Sequence, residues 1–66
     1  MDNLIKQNVD RAVRNFYNIP SWNVNMTSKE VDYMYENYSD IVICNGRVRK
    51  IKVEKITENN FNVYTV

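Results

Sequence analysis

The sequence predicts an α+β domain: two N-terminal helices packed on one face of a three-stranded antiparallel meander, in the order ααβββ. Three observations predict it. Apolar residues recur at three- and four-residue spacing over residues 2–17 and again over 31–38. From Ile41 onward the period changes to that of a strand. Asn45-Gly46 then separates two apolar runs, the strongest short-range hairpin signal.

The first helix is expected from Asp2 to Tyr17. Asp2 serves as N-cap, and Leu4, Ile5, Val9, Ala12, Val13 and Phe16 form the apolar stripe. Lys6, Asp10, Arg11 and Arg14 take the opposite face. Asn18 ends the helix in a left-handed conformation, and Pro20 prevents its continuation. From Asn18 to Met26 a connector carries Ile19, Trp22, Val24 and Met26 between small polar residues, so it is expected to pack down, with Trp22 as a lid on the core.

Thr27 and Glu30 form a capping box at the start of the second helix, and Met26 with Val31 forms the accompanying hydrophobic staple. Val31, Met34, Tyr35 and Tyr38 fall at i, i+3, i+4 and i+7 and define its buried stripe. Tyr33 lies off that stripe with Asp32 and Glu36. The helix is expected to end near Tyr38-Ser39.

Three strands follow: Ile41 to Cys44, Val48 to Ile56, and Phe61 to Val66, with a turn at Thr57 to Asn60. Register decides which face is buried, since a slip of one residue turns every side chain over. A two-residue turn at Asn45-Gly46 puts Ile51 and Val53 on the face away from Ile41 and Ile43. A three-residue loop, Cys44-Asn45-Gly46 with Gly46 left-handed as a bulge, unites all four and is the preferred expectation. A similar loop at Glu58-Asn59-Asn60, with Asn60 left-handed, adds Phe61 and Val63. The remaining face then holds Val42, Cys44, Val48, Ile56, Tyr64 and Val66 among Lys50, Lys52 and Glu54. Two short helices cannot cover both faces of such a sheet, so this one is expected to stay partly open as a contact surface.

Inventory narrows the function. The 66 residues form one small domain, residues 1–66, too small to hollow out a catalytic cleft readily. Without histidine there is no imidazole base, and one cysteine offers nothing to a four-ligand zinc site. The single glycine, Gly46, excludes glycine-rich phosphate loops. Glu30, Asp32, Glu36 and Asp40 do not follow calcium-loop spacing and read as a solvated helix face. No catalytic, cofactor or metal residue is assigned, and the chain is expected not to be an enzyme. Cys44 cannot form an intramolecular disulfide and reads as a small apolar filler, which fits a reducing compartment. The charged start Met1–Lys6 does not resemble a signal peptide, and the longest apolar run, Ile41–Cys44, is far too short to span a membrane. A soluble cytoplasmic location is expected.

Charge is unevenly placed beneath a net value of +1. Residues 21–40 set Lys29 against four carboxylates, whereas residues 41–66 set five cations against Glu54 and Glu58. The basic hairpin, Arg47, Val48, Arg49, Lys50 and Lys52, together with Ile56, Tyr64 and Tyr33, forms the candidate partner-binding set. Exposed tyrosines are favoured interface anchors. The expected partner is a larger protein. Eleven asparagines, with isoleucine, lysine and tyrosine also abundant, follow AT-rich codons. That bias suits a phage or mobile-element accessory protein that inhibits a host protein such as a defence component. The alternative is a nucleic-acid-binding module using residues 47–55, although no aromatic interleaves those cations and the pI is only about 7.8. Homodimerisation is a further expectation, with Val66 at a sheet edge supplying the pairing.

Overall fold

The computed structural model describes residues 3–19, 21–44 and 46–66, with Cys44 described by its backbone alone. Its elements are α1 (Asn3–Asn18), β1 (Asn23–Met26), α2 (Ser28–Tyr38), β2 (Ile41–Cys44), β3 (Arg47–Thr57) and β4 (Asn60–Thr65). The expected Asp2 cap, the Pro20 stop and the Asn45 turn position lie outside the described residues, as does the Cys44 side chain.

α1 buries Val9, Ala12, Val13 and Phe16, the stripe that its spacing dictates. Ile5 is half-buried, but Leu4, the second residue of the helix, stays exposed. The last turn closes by an Ile19 amide donating to the Asn15 carbonyl at 2.7 Å. Asn18 is not left-handed: among the described residues, positive φ occurs only at Ser39 and Gly46.

α2 begins as expected. The Thr27 hydroxyl accepts from the Glu30 amide at 3.3 Å, and the Glu30 carboxylate accepts from the Thr27 amide at 2.8 Å. Met26 and Val31 are both buried, completing the staple. Glu30 also accepts from Asn8 Nδ2 at 3.1 Å, tying α2 to α1. Asn59 Oδ1 accepts from both the amide and the hydroxyl of Ser28, at 3.0 and 2.7 Å, tying the β3–β4 turn to the same helix start.

The sheet has four antiparallel strands, in the order β1-β4-β3-β2, where three were expected. The additional strand comes from the connector. Val24 and Met26 alternate with Asn23 and Asn25, and Val24 pairs with Val63 while Met26 pairs with Phe61. Asparagine is poor in strands, which hid the element. β1 covers β4 from Phe61 to Tyr64, making it an inner strand there where an edge was expected, and stops two residues short of Val66. Val66 lies on the line of β4, exchanging backbone hydrogen bonds with Lys50 at 3.0 and 2.9 Å.

The first hairpin also differs from the preferred register. Cys44 pairs with Arg47, Ile43 with Val48, Val42 with Arg49 and Ile41 with Lys50, so the two-residue turn wins. Gly46, at φ 81°, supplies the left-handed position that such a turn requires. Val42 therefore faces the core, essentially fully buried, while Ile41 and Ile43 are turned out. In the second hairpin Thr57 pairs with Asn60 across Glu58-Asn59, and Asn60 is not left-handed. The extra residue sits inside β3 instead, where Ile56 forms a bulge between Lys55 and Thr57. That bulge restores parity and brings Val53 opposite Val63.

One core results, between the helices and a single sheet face. Phe16, Met34, Val9, Val13, Val42 and Val63 are its largest fully enclosed side chains. Ile51, Met26 and Val31 are also buried in it, with Trp22, Val24, Val53 and Phe61 packed around its margin.

Candidate protein-interaction face

Strand parity assigns the opposite sheet face. Ile41 and Ile43 from β2, Val48, Lys50, Lys52 and Glu54 from β3, and Asn62 and Tyr64 from β4 share it, with Val66 beside Lys50. Both helices pack against the other side, so nothing among the described residues covers it. Val48 is 71% exposed, Ile43 59%, Val66 55% and Ile41 51%. These four aliphatic residues gather at the β2 end of the face. Tyr64, half-buried, stands between Lys52 on β3 and Asn23 on β1.

The candidate binding residues do not all meet there. Val48, Lys50, Lys52 and Tyr64 do. Arg49 projects to the core side, opposite Val42, where its Nε donates to Thr65 Oγ1 at 3.4 Å. Arg47 is exposed but shares the parity of Arg49, and Ile56 is exposed at the bulge. Tyr33 is half-buried and packs against the core, whereas Tyr35, expected in the core, is exposed. The reason is the tilt of the buried arc of α2 toward α1. Tyr33 lies close enough to Lys6 on α1 to raise the lysine's pKa, an effect led by Asp10. Val42, expected on the open face, is in the core, and Ile41 and Ile43, expected in the core, are on the open face. The signal that finds them is the Asn45-Gly46 dipeptide, taken at its commonest loop length.

Among the described residues the one ion pair joins Lys6 and Asp10 at 2.9 Å within α1. The cations of β3 and the carboxylates of α2 therefore do not neutralise one another by contact. Asp10 is held below the usual carboxylate range by its hydrogen bond from Lys6, and then by that from the Tyr38 hydroxyl. The same hydrogen bond to Asp10, aided by partial burial, pushes the Tyr38 phenol up to about 12. This small network belongs to the helix pair and lies away from the open face.

A concavity of about 370 Å³ lies between α1 and β1, lined by Arg11, Asn15, Trp22, Asn25 and Glu30 among others. The Trp22 Nε1 proton is buried beside it without an acceptor among the described residues. No three His, Cys, Asp or Glu side chains among the described residues are grouped to hold a metal ion. No helix is long and apolar enough to cross a membrane.

Comparison with protein-family models, with curated proteins and with solved structures finds no match to this chain.

Proposed function

We propose that this chain is a small, non-enzymatic protein-interaction module. It acts as an accessory protein, of the kind carried by phages and mobile elements, that binds and inhibits a larger host protein. One observation carries the reading: Ile41, Ile43, Val48 and Val66, each more than half exposed, share an uncovered sheet face with Lys50, Lys52 and Tyr64. An aliphatic cluster with an aromatic anchor and a cationic border suits a partner with an apolar centre and carboxylates at its rim. Nucleic acid fits less well, because the β3 cations divide between two faces. Arg47 and Arg49 project away from Lys50 and Lys52, and of those lysines only Lys52, opposite Tyr64, has a stacking neighbour, Lys50 lying between Ile41 and Val66.

The test is capture of a binder by the whole chain at about 50 and about 200 mM salt. A protein held at both salts, and lost with Val48→Asp and with Tyr64→Ala, is the expected result. Capture of nucleic acid alone, falling steeply with salt and indifferent to Val48→Asp, would sink the reading.

A further inference from the structure

The backbone polar groups of β2 divide by direction. Lys50 exchanges both its bonds with Val66, so its amide and carbonyl point toward β4. Its neighbour Ile51 donates to the Asp40 carbonyl at 2.7 Å, toward β2. Arg49 turns the same way and pairs with Val42, so Val42 is bonded within the hairpin. Ile41 and Ile43 then direct their amides and carbonyls out of the sheet, where no described strand lies beyond them. Natural sheets guard such an edge with charged side chains, proline or a bulge. Ile41–Cys44 has no charge and no proline, and its pairing with β3 is regular. The opposite edge strand differs, placing Asn23 and Asn25 on the open face where β2 places isoleucines.

We infer that β2 pairs antiparallel with β2 of a second copy of this chain, about a two-fold axis normal to the sheet and passing at Val42. Ile41 then lies opposite Ile43 of the second copy, and Ile43 opposite Ile41. Both backbone bonds form at each pair, because these are the residues whose polar groups point outward. Shifting the axis to Ile41 or to Ile43 leaves only one such pair between the strands. With the axis normal to the sheet, the two cores stay on one side and the two open faces on the other. The row Val66, Lys50, Ile41 continues into Ile43 and Val48 of the second copy.

Charge permits this arrangement and favours it over stacking the faces together. Face-to-face contact brings Lys50 and Lys52 of both copies into one layer, set against only Glu54 of each. Edge pairing holds the two β3 strands three strand spacings apart, about 14 Å, beyond the screening length of about 8 Å. Asp40 comes opposite Cys44 of the second copy, with that copy's Arg47 on the next strand, so opposite charges approach at both ends of the ladder. Of the four exposed aliphatic residues only Ile41 and Ile43 lie on the pairing strand, so this four-residue ladder buries well under a full interface. A standard interface takes about 800 Å² per partner, so the pairing is a reversible dimer rather than an obligate one.

Sedimentation equilibrium of the whole chain from about 10 μM to about 1 mM tests it, combined with amide exchange read residue by residue. The expected mass rises toward twice 7.9 kDa. The Ile41 and Ile43 amides slow by about tenfold or more at the high concentration, while Val42, already bonded, changes little. Ile43→Pro deletes an outward N–H that the hairpin does not use, so it abolishes the dimer and keeps the fold. Should that variant misfold, Ile43→Lys serves the same purpose on an exposed position. A monomer throughout, or a dimer in which Ile41 and Ile43 exchange independently of concentration, overturns the inference. A monomer that still loses its partner with Val48→Asp overturns it while leaving the functional reading intact; a dimer whose partner ignores Val48→Asp does the reverse.

Discussion

Ser39 ends α2 at φ 61°, ψ −169°, a conformation that glycine alone adopts freely. It is exposed, so the strain is held by the elements on either side. Ser39→Gly is expected to stabilise the chain by about 1 kcal/mol, seen as a rise in Tm of several degrees. No spacing rule could have placed this strain, since serine marks many ordinary helix ends. Thr27 and Glu30, by contrast, were legible because a capping box is a local chemical pattern. Asp10, Lys6 and Tyr38 set the pH response. The Tyr38 phenol is raised from 10.0 to about 12, so its contribution is complete below pH 10 and is lost as the pH climbs from 10 through 12. Asp10 is held below 3.8, so its contribution is complete above that value and is lost as the pH falls below it. In Tm measured against pH, Tyr38→Phe is expected to flatten the alkaline decline between pH 10 and 12. The acid limb should persist, because Lys6 still bonds Asp10.

Among the elements, α1 and α2 were readable from periodicity and caps, since burial on one side of a helix writes itself into spacing. Tyr33 and Tyr35 exchanged roles because α2 packs on α1 as well as on the sheet, and a single-helix pattern carries no record of a second neighbour. Strand β1 was hidden by asparagines, whose placement is set by pairing with β4 rather than by their own preference. Register was harder still. Ile41, Ile43, Ile51 and Val53 look like one buried set, yet the β2–β3 turn assigns the isoleucines of β2 to the other side. The second hairpin kept the expected parity for Phe61 and Val63 by a different device, a bulge at Ile56. Each half of the capping box is separately testable. Thr27→Ala is expected to cost about 1 kcal/mol in urea unfolding with an unchanged slope. Glu30→Ala is expected to cost at least as much, because Glu30 also holds Asn8.

The molecule as a whole is a two-layer slab, 32 × 24 × 16 Å, with a radius of gyration of 11.1 Å. That radius is close to the roughly 10.8 Å expected for a compact chain of this length. With so thin a body, the core rests on few large side chains, and Phe16 is the largest of those fully enclosed. Phe16→Ala is expected to cost about 3–5 kcal/mol, comparable to the entire stability of a small domain, and to leave much of the chain unfolded at 25 °C by circular dichroism. The candidate face was legible in outline, because the count of apolar strand residues exceeds what two helices can shelter. Its membership was not, because it depends on parity across two turns.

The place of β4 has a kinetic consequence. It follows β1, β2 and β3 in sequence, yet it lies between β1 and β3 in the sheet, joining the earliest of these strands to the β2–β3 hairpin. Until residues 60–65 leave the ribosome, β1 has no mate and β3 has one bare flank. The sheet is therefore completed late, by a long-range closure that costs loop entropy before it gains contacts. A nascent chain halted just short of that segment would display sticky margins that the finished fold conceals.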